Sequence, residues 1–312
     1  IASSASGFCA LTLAAAAALN LKLSKKELSR LGRIGSGSAT RSFYGGFVEW
    51  KRGIKEDGTD SQAVQFRPKE HWPDMIDIIC IVSKEEKKVS SRAGMQMTVK
   101  TSRLYKNRQA NVHRVLKLCK KALAEKDKSA LFKIIMADSD NMHDTMLDTT
   151  PKIDYLNSIS HQIKDLVRDI NKDSIKVAYT FDAGPNAHLI TTRDQLKLVR
   201  NKLRKIKGIQ KVYVSKIGDG PKVTNTSESI VKAYGKALVY GGYASLEKKG
   251  KGLVVNVDVG TTTRAAFSDK DEIITKVKDK SFAESALRIA KDYVKSSKGR
   301  SEERRVGKEC AT

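Results

Sequence analysis

The chain has 312 residues, 40% hydrophobic and 30% charged, enough for two ordinary domains or one large α/β unit. Its longest apolar run is cut by Lys22 and falls short of a membrane span, which argues against a membrane partner. The net charge of +24 raises nucleic acid as a partner, but the lysines are spread along the chain and aromatics are only 6%, so the clustered basic face and stacking platforms of such a protein are missing.

The opening IASSASGFCALTLAAAAALNLKL predicts a helix over Ser3–Leu21. It does not read as a secretion signal. No basic residues precede the apolar run, and the Ser/Gly cluster lies ahead of it rather than at a cleavage site. A second helix is expected over Lys25–Leu31. Strands follow at Phe43–Trp50, Ala63–Phe66 and Ile76–Val82, rich in β-branched and aromatic residues. Helical patterns occupy Ala93–Asn107, Val112–Glu125, Ser129–His143 and Ile153–Ile170, the last with Ile153, Leu156, Ile159, Ile163, Leu166 and Ile170 at helical spacing. Strands at Ile175–Thr180 and His188–Thr191 flank the turn FDAGPNA. A basic helix over Gln195–Lys207 and a strand at Gln210–Ser215 complete this part. Strands and helices mix without strict alternation, so the class is α+β.

After Gly218 the texture changes. GDGPKVTNTSES reads as a linker over 219–228, followed by strand, turn, strand and a helix over Phe282–Val294. Residues 300–312 carry RSEERRVGKEC, which resembles the translation of a common sequencing adapter, and they are set apart from the fold. Cys9, Cys80, Cys119 and Cys310 have no CxxC spacing and no paired histidines. That argues against a zinc site or disulfide framework and fits a reducing, cytoplasmic setting.

Three segments carry chemistry. In RIGSGSATRSFYGGFVEW, Gly35 and Gly37 let backbone approach a ligand, with the Ser36 and Ser38 hydroxyls beside them. Ser38 and Arg41 are three apart and share a face if a helix begins here, a pairing suited to a carboxylate or phosphate. The plainer reading is a Gly/Ser turn with an exposed arginine. In YTFDAGPNAHLI a strand delivers Asp182 onto a turn held by Gly184 and Pro185, well placed for a general base, or alternatively only an Asx-turn. In VSSRAGMQMTVKTS, Ser90 or Ser91 can cap a helix at whose N-terminus Arg92 adds charge for an anion, or the cap is ordinary and Arg92 merely exposed.

Together with DSQAVQ, WPDMIDIICIVS and MHDTMLDTTP, in this order, these segments closely resemble the diphosphomevalonate decarboxylase family of the GHMP kinase superfamily, from residue 1 to about Ser215. The resemblance implies a two-lobed GHMP kinase-like fold: a partial N-terminal ATP-binding lobe over 1–75 and a ferredoxin-like C-terminal lobe over 76–218. It implies ATP-dependent decarboxylation of mevalonate 5-diphosphate to isopentenyl diphosphate, with ATP and Mg2+ as cofactors and a homodimer as an assembly. Asp182 matches the catalytic aspartate and Arg41 the carboxylate-binding arginine. Ser36 and Ser38 match substrate-binding serines, and Ser91 and Arg92 match residues that hold the diphosphate. Ser3, Ser4, Ser6 and Gly7 match the ATP phosphate loop. No residue is assigned as a metal ligand. The remaining histidines, His143 among them, read as packing or capping residues. A decarboxylase acting on mevalonate 5-monophosphate is the alternative, and a basic nucleic-acid-binding protein a distant one.

The resemblance has departures. No Lys-Tyr-Trp-Gly-Lys segment precedes Ile1, so the chain reads as truncated at its start and impaired in turnover. KAYGKALVYGGYASLE resembles the opening hairpin of phosphomevalonate kinase, so 229–299 reads as a partial segment of that kind, joined after about residue 222. Because open sheet edges recruit strands, this hairpin is expected to fold back onto the first lobe.

Overall fold

The structure, a computed structural model, describes residues 4–18, 21–85, 88–224, 229–242 and 251–265. Two antiparallel sheets organise it. One has four strands in the order β4 (Val177–Phe181), β5 (Ala187–Thr192), β3 (Met75–Ile81), β6 (Lys211–Lys216). The other has five, in the order β2 (Gln62–Arg67), β1 (Phe47–Lys51), β9 (Lys251–Ala265), β8 (Ser229–Tyr240), β7 (Lys222–Val223). Helices α1 (Ser4–Ala18) and α2 (Lys25–Gly35) accompany the five-stranded sheet. The others are α3 (Ser91–Thr101), α4 (Leu104–Glu125), α5 (Lys128–Leu147), α6 (Ser158–Ile170) and α7 (Leu196–Leu203).

The four-stranded sheet buries both faces. Ile76, Ile78, Leu189 and Phe181 pack under α6 and α7 against Ile163, Val167 and Val199. On the other face Ile79, Ala178 and Ile190 join Cys119, Phe132 and Ile135 of α4 and α5. Ala237, Leu253, Val255 and Val257 of β8 and β9 enter that same cluster, so the two sheets share one core. Residues 229–265 are therefore not a separate unit. As the open-edge argument expects, β9 pairs antiparallel with β1, Phe47 facing Val255 and Lys51 facing Lys251. The sheets are also stitched by backbone: Ile217 bridges Val257, and Gly46 donates to the Gly218 carbonyl at 2.9 Å. The far end of β8 is clamped by a buried Arg108–Asp138 ion pair at 2.9 Å, whose aspartate accepts the Gly241 N–H at 3.0 Å.

Helix α1 lies across β8 and β9. Ala10 and Ala14, fully buried, pack with Val231 and Ala233, which is the close approach that an alanine-rich face permits. The start of α2 is set by a capping box between Ser24 and Glu27, a device worth about 1 kcal/mol.

Several sequence expectations shift. Phe43 ends a 3-10 helix, Gly37–Phe43, and β1 begins only at Phe47, because Gly45 and the left-handed Gly46 (φ 71°) turn the chain between them. The helix expected over Ala93–Asn107 breaks at Ser102. The Asp148 carboxylate captures both the Ser102 hydroxyl, at 2.8 Å, and the Leu104 N–H, at 3.0 Å, and so competes with the helical bonds. Residues 153–157 are extended, and α6 starts after its Asn157 cap. The basic helix ends at Leu203. The linker expected over 219–228 contains β7, whose Val223 pairs with Val231. The helix expected over Phe282–Val294 and residues 300–312 lie outside the described residues.

Candidate active site

The site lies where the sheets meet. The FDAGPNA turn is held from outside itself. Asn186 accepts the Val82 N–H at 2.8 Å, and the Ser160 hydroxyl donates to the Pro185 carbonyl at 2.8 Å. The Asp182 carboxylate does not cap its own turn. Its Oδ2 accepts from Lys236 Nζ at 3.2 Å, and Lys236 is only 7% exposed while the Asp182 side chain is 48% exposed to the cleft. Burial pushes the Asp182 carboxyl upward. Lys236, His188 and Arg41 together outweigh it and hold it down to about 2, in a field that cleft water screens. Asp182 is thus ionised at neutral pH.

Arg41 projects from the 3-10 helix Gly37–Phe43 and is buried. Its guanidinium carbon stands 5.4 Å over the Trp50 ring. Burial lowers its pKa to about 10, with Asp182 pulling the other way, so it stays charged at pH 7. Its Nε is buried without a hydrogen-bond partner among the described residues. A desolvated guanidinium with an unused N–H fits an anionic ligand group.

Three of the candidate serines gather. Ser36 Oγ lies 3.2 Å from Ser4 Oγ and 2.9 Å from Ser38 Oγ, and Ser4 Oγ lies 3.4 Å from Ser38 Oγ. This places the N-terminus of α1 beside the 3-10 helix. A side chain at Gly7 would meet no atom of the described residues within 4 Å, so these residues leave space beside this end of α1. Ser6 is fully buried, and Ser3 lies outside the described residues. Ser90, not Ser91, caps α3 by accepting the Ala93 N–H at 3.2 Å. Arg92 is exposed on the first turn of α3 and forms no ion pair among the described residues, apart from the Asp182–Arg41–serine group.

His143 packs as expected, buried and edge-on to Phe181 at 6.1 Å, and burial pushes its pKa down to about 4. His188 does not. It holds the Asp77 carboxylate at 2.7 Å, so the packing reading is corrected for this residue. Lys236, Asp77 and His188 were not marked as site residues by the sequence. Lys236 lies inside the quoted GKALVYGG and His188 inside AHLI, so a signal was present in both motifs, but only the pairing of distant strands gives it meaning.

Among the described residues no three His, Cys, Asp or Glu side chains could hold a metal ion together, and no helix is long and apolar enough to cross a membrane.

Comparison with known proteins agrees with this architecture. Residues 1–63 match the diphosphomevalonate decarboxylase-like N-terminal domain, and residues 77–207 match the mevalonate 5-diphosphate decarboxylase C-terminal domain. The chain is 45% identical over 204 residues to diphosphomevalonate decarboxylase of Ganoderma lucidum, using 63% of this chain and 51% of that protein. It is 40% identical over 250 residues to the Candida albicans enzyme, using 74% of this chain and 68% of that protein. It therefore spans between about half and two thirds of the length of these relatives. Among solved structures it resembles "MDDEF in complex with MVAPP, AMPPCP and Magnesium" at 37% identity with a TM-score of 0.66, covering 70% of this chain and 67% of that one.

Proposed function

The chain belongs to the diphosphomevalonate decarboxylase family, and from that premise we propose that it carries out the ATP-dependent decarboxylation of mevalonate 5-diphosphate to isopentenyl diphosphate. The observation that carries this reading is an ionised Asp182 in electrostatic reach of a buried, charged Arg41 whose Nε has no hydrogen-bond partner among the described residues. Asp182 takes the proton from the tertiary hydroxyl of the substrate. Its lowered pKa makes it a weak base in the resting site, suited to accept that proton only as charge leaves the oxygen. Arg41 holds the substrate carboxylate in a rigid fork, and the nearby Trp50 ring walls off water. Ser36 and Ser38 donate hydroxyls to the same molecule. Arg92, exposed at the start of α3, matches a diphosphate-holding residue of the family, and that match favours the diphosphate over the monophosphate.

The fit to the nucleotide rests on the open end of α1. Ser4, the space at Gly7 and the helix dipole form a surface for phosphate oxygens. Since no three-ligand protein cluster exists among the described residues, magnesium fits as an ion carried on the nucleotide phosphates. When bound, magnesium-ATP supplies the phosphoryl group and neutralises its charge. We read residues 229–265 as a hairpin of the phosphomevalonate kinase type. The motif KAYGKALVYGGYASLE supports this, as does the way β8 and β9 continue the GHMP-like sheet.

The test is carbon dioxide release from carboxyl-labelled mevalonate 5-diphosphate with ATP and magnesium, in single turnover on the full chain. Release that is lost in Asp182→Asn supports the reading. Neither release nor substrate binding would overturn it. The monophosphate under the same conditions is the comparison that settles substrate choice.

A further inference from the structure

The face of the four-stranded sheet that looks toward the β8–β9 hairpin is apolar in most places: Met75 and Ile79 on β3, Ala178 on β4, Ile190 on β5. Two polar residues interrupt it. In the antiparallel register Ile79 faces His188, so Asp77, two residues along, lies diagonal to His188 on the same face. Asp77 Oδ2 meets His188 Nδ1 at 2.7 Å. The Asp77 side chain is fully buried, and its Oδ1 has no hydrogen-bond partner among the described residues. A carboxylate so placed is costly, and an apolar pair of similar volume would suit the surrounding core at least as well. Stability alone does not explain it.

Its position does. Thr180 faces His188 across β4 and β5, and Asp182 follows the end of β4, near enough for its charge to act on the imidazole. The imidazole thus touches the buried Asp77 and lies within electrostatic reach of Asp182 and of the Lys236 that Asp182 binds. We propose that Asp77 and His188 form a positioning pair for Asp182, in which Asp77 fixes the imidazole and its charge, and that charge, with Lys236, keeps Asp182 ionised and aimed into the cleft. The proposal rests on the decarboxylase reading for its consequence in catalysis, but not for its electrostatics.

The groups that face the imidazole are Asp77 from β3, Asp182 from the end of β4 and Lys236 from β8, while Arg41 from the 3-10 helix acts on Asp182. Burial disfavours the imidazolium and Lys236 repels it. Asp77, through charge and hydrogen bond, and Asp182 outweigh both, so His188 is raised above its ordinary range. His188 therefore keeps its charge to higher pH than an ordinary histidine and loses it as pH climbs past its raised pKa. Below that point it lowers the basicity of Asp182, and above it that basicity recovers.

Side-chain 1H–15N correlation spectra of the full chain across pH test this directly. His188, assigned by its loss in His188→Gln, is expected to titrate above the ordinary histidine value near 6.5. Its pKa should fall in Asp77→Asn and, by reciprocity, in Asp182→Asn. Titration at or below the ordinary value, or indifference to Asp182→Asn, would overturn the proposal. In turnover, His188→Gln should move the acid limb of the kcat/KM profile to higher pH while KM changes less than kcat. An unmoved limb in an active variant would also overturn it. If the intact chain shows no decarboxylation, the functional reading fails and the spectra still decide the coupling. Should His188→Gln unfold, Asp77→Asn with the same spectra serves alone.

Discussion

The two sheets reach similar cores by opposite routes. The four-stranded sheet is drawn from one continuous stretch, Met75 to Lys216, and every strand finds its partner inside it. The five-stranded sheet joins β1 and β2, from Phe47–Arg67, to a hairpin that arrives after the whole of the other sheet has been laid down. The first sheet supplies Asp182 and its turn, and the second supplies Lys236. The site is therefore not the property of either sheet. A motif in one becomes chemistry only when a strand from the other covers it.

The harshest way to break this comparison is to end the chain after Gly220. Leu253, Val254, Val255 and Val257 are fully buried, and each such side chain contributes about 1.5–3 kcal/mol. Their loss exceeds what a marginally stable lobe can spare. Circular dichroism on heating should show a clearly lower melting temperature, with α1 no longer protected in hydrogen exchange; an unchanged melting curve would mean that the hairpin is decoration.

Next in size is the latch at the end of β8. Arg108→Met leaves the Asp138 carboxylate buried and unpaired, which costs about 3–5 kcal/mol. Chemical denaturation measures it. Burial raises the Asp138 pKa despite Arg108, so the loss in Arg108→Met should shrink at low pH, where the lone carboxyl protonates.

Asp182→Asn leaves these contacts in place and should lower single-turnover release by about 10²–10⁴, the usual weight of a general base. The melting temperature should fall as well, because Lys236 and His188 lose a charge partner, so release is compared on the folded variant. A variant that turns over normally would remove Asp182 from the mechanism.

The smallest effect belongs to the pair behind Asp182. Because the His188 pKa is raised on folding, the pair adds stability below the ordinary histidine value near 6.5 and loses it as pH rises through the raised value. In Asp77→Asn the melting temperature should be less dependent on pH across that window. An identical pH dependence would show that the pair is electrostatically idle.

What the sequence makes legible follows the same division. The FDAGPNA turn, the helix α1 and the strands of the four-stranded sheet are written in local residue types and spacing. Asp182, Ser36 and Ser38 stand out there as candidates, with their proposed roles coming from the family resemblance. The 3-10 helix that carries Arg41 is raised only conditionally by the Ser38–Arg41 spacing, and its last residue, Phe43, reads as strand because it is aromatic and precedes a strand. The break at Ser102 depends on Asp148, far along the chain, and no local pattern shows it. Lys236 was visible as a letter but not as a partner, because its meaning depends on β9 choosing β1. His188 read as packing for the same reason, its Asp77 being a cross-strand neighbour.

The most direct test of the account is the pH profile of carbon dioxide release from mevalonate 5-diphosphate with ATP and magnesium, measured for the intact chain and for Lys236→Met. The account predicts release by the intact chain, and in the variant an acid limb displaced to higher pH, as Asp182 loses the nearest cation that holds it ionised. No release, or superimposable profiles, would contradict an active site completed by the β8–β9 hairpin.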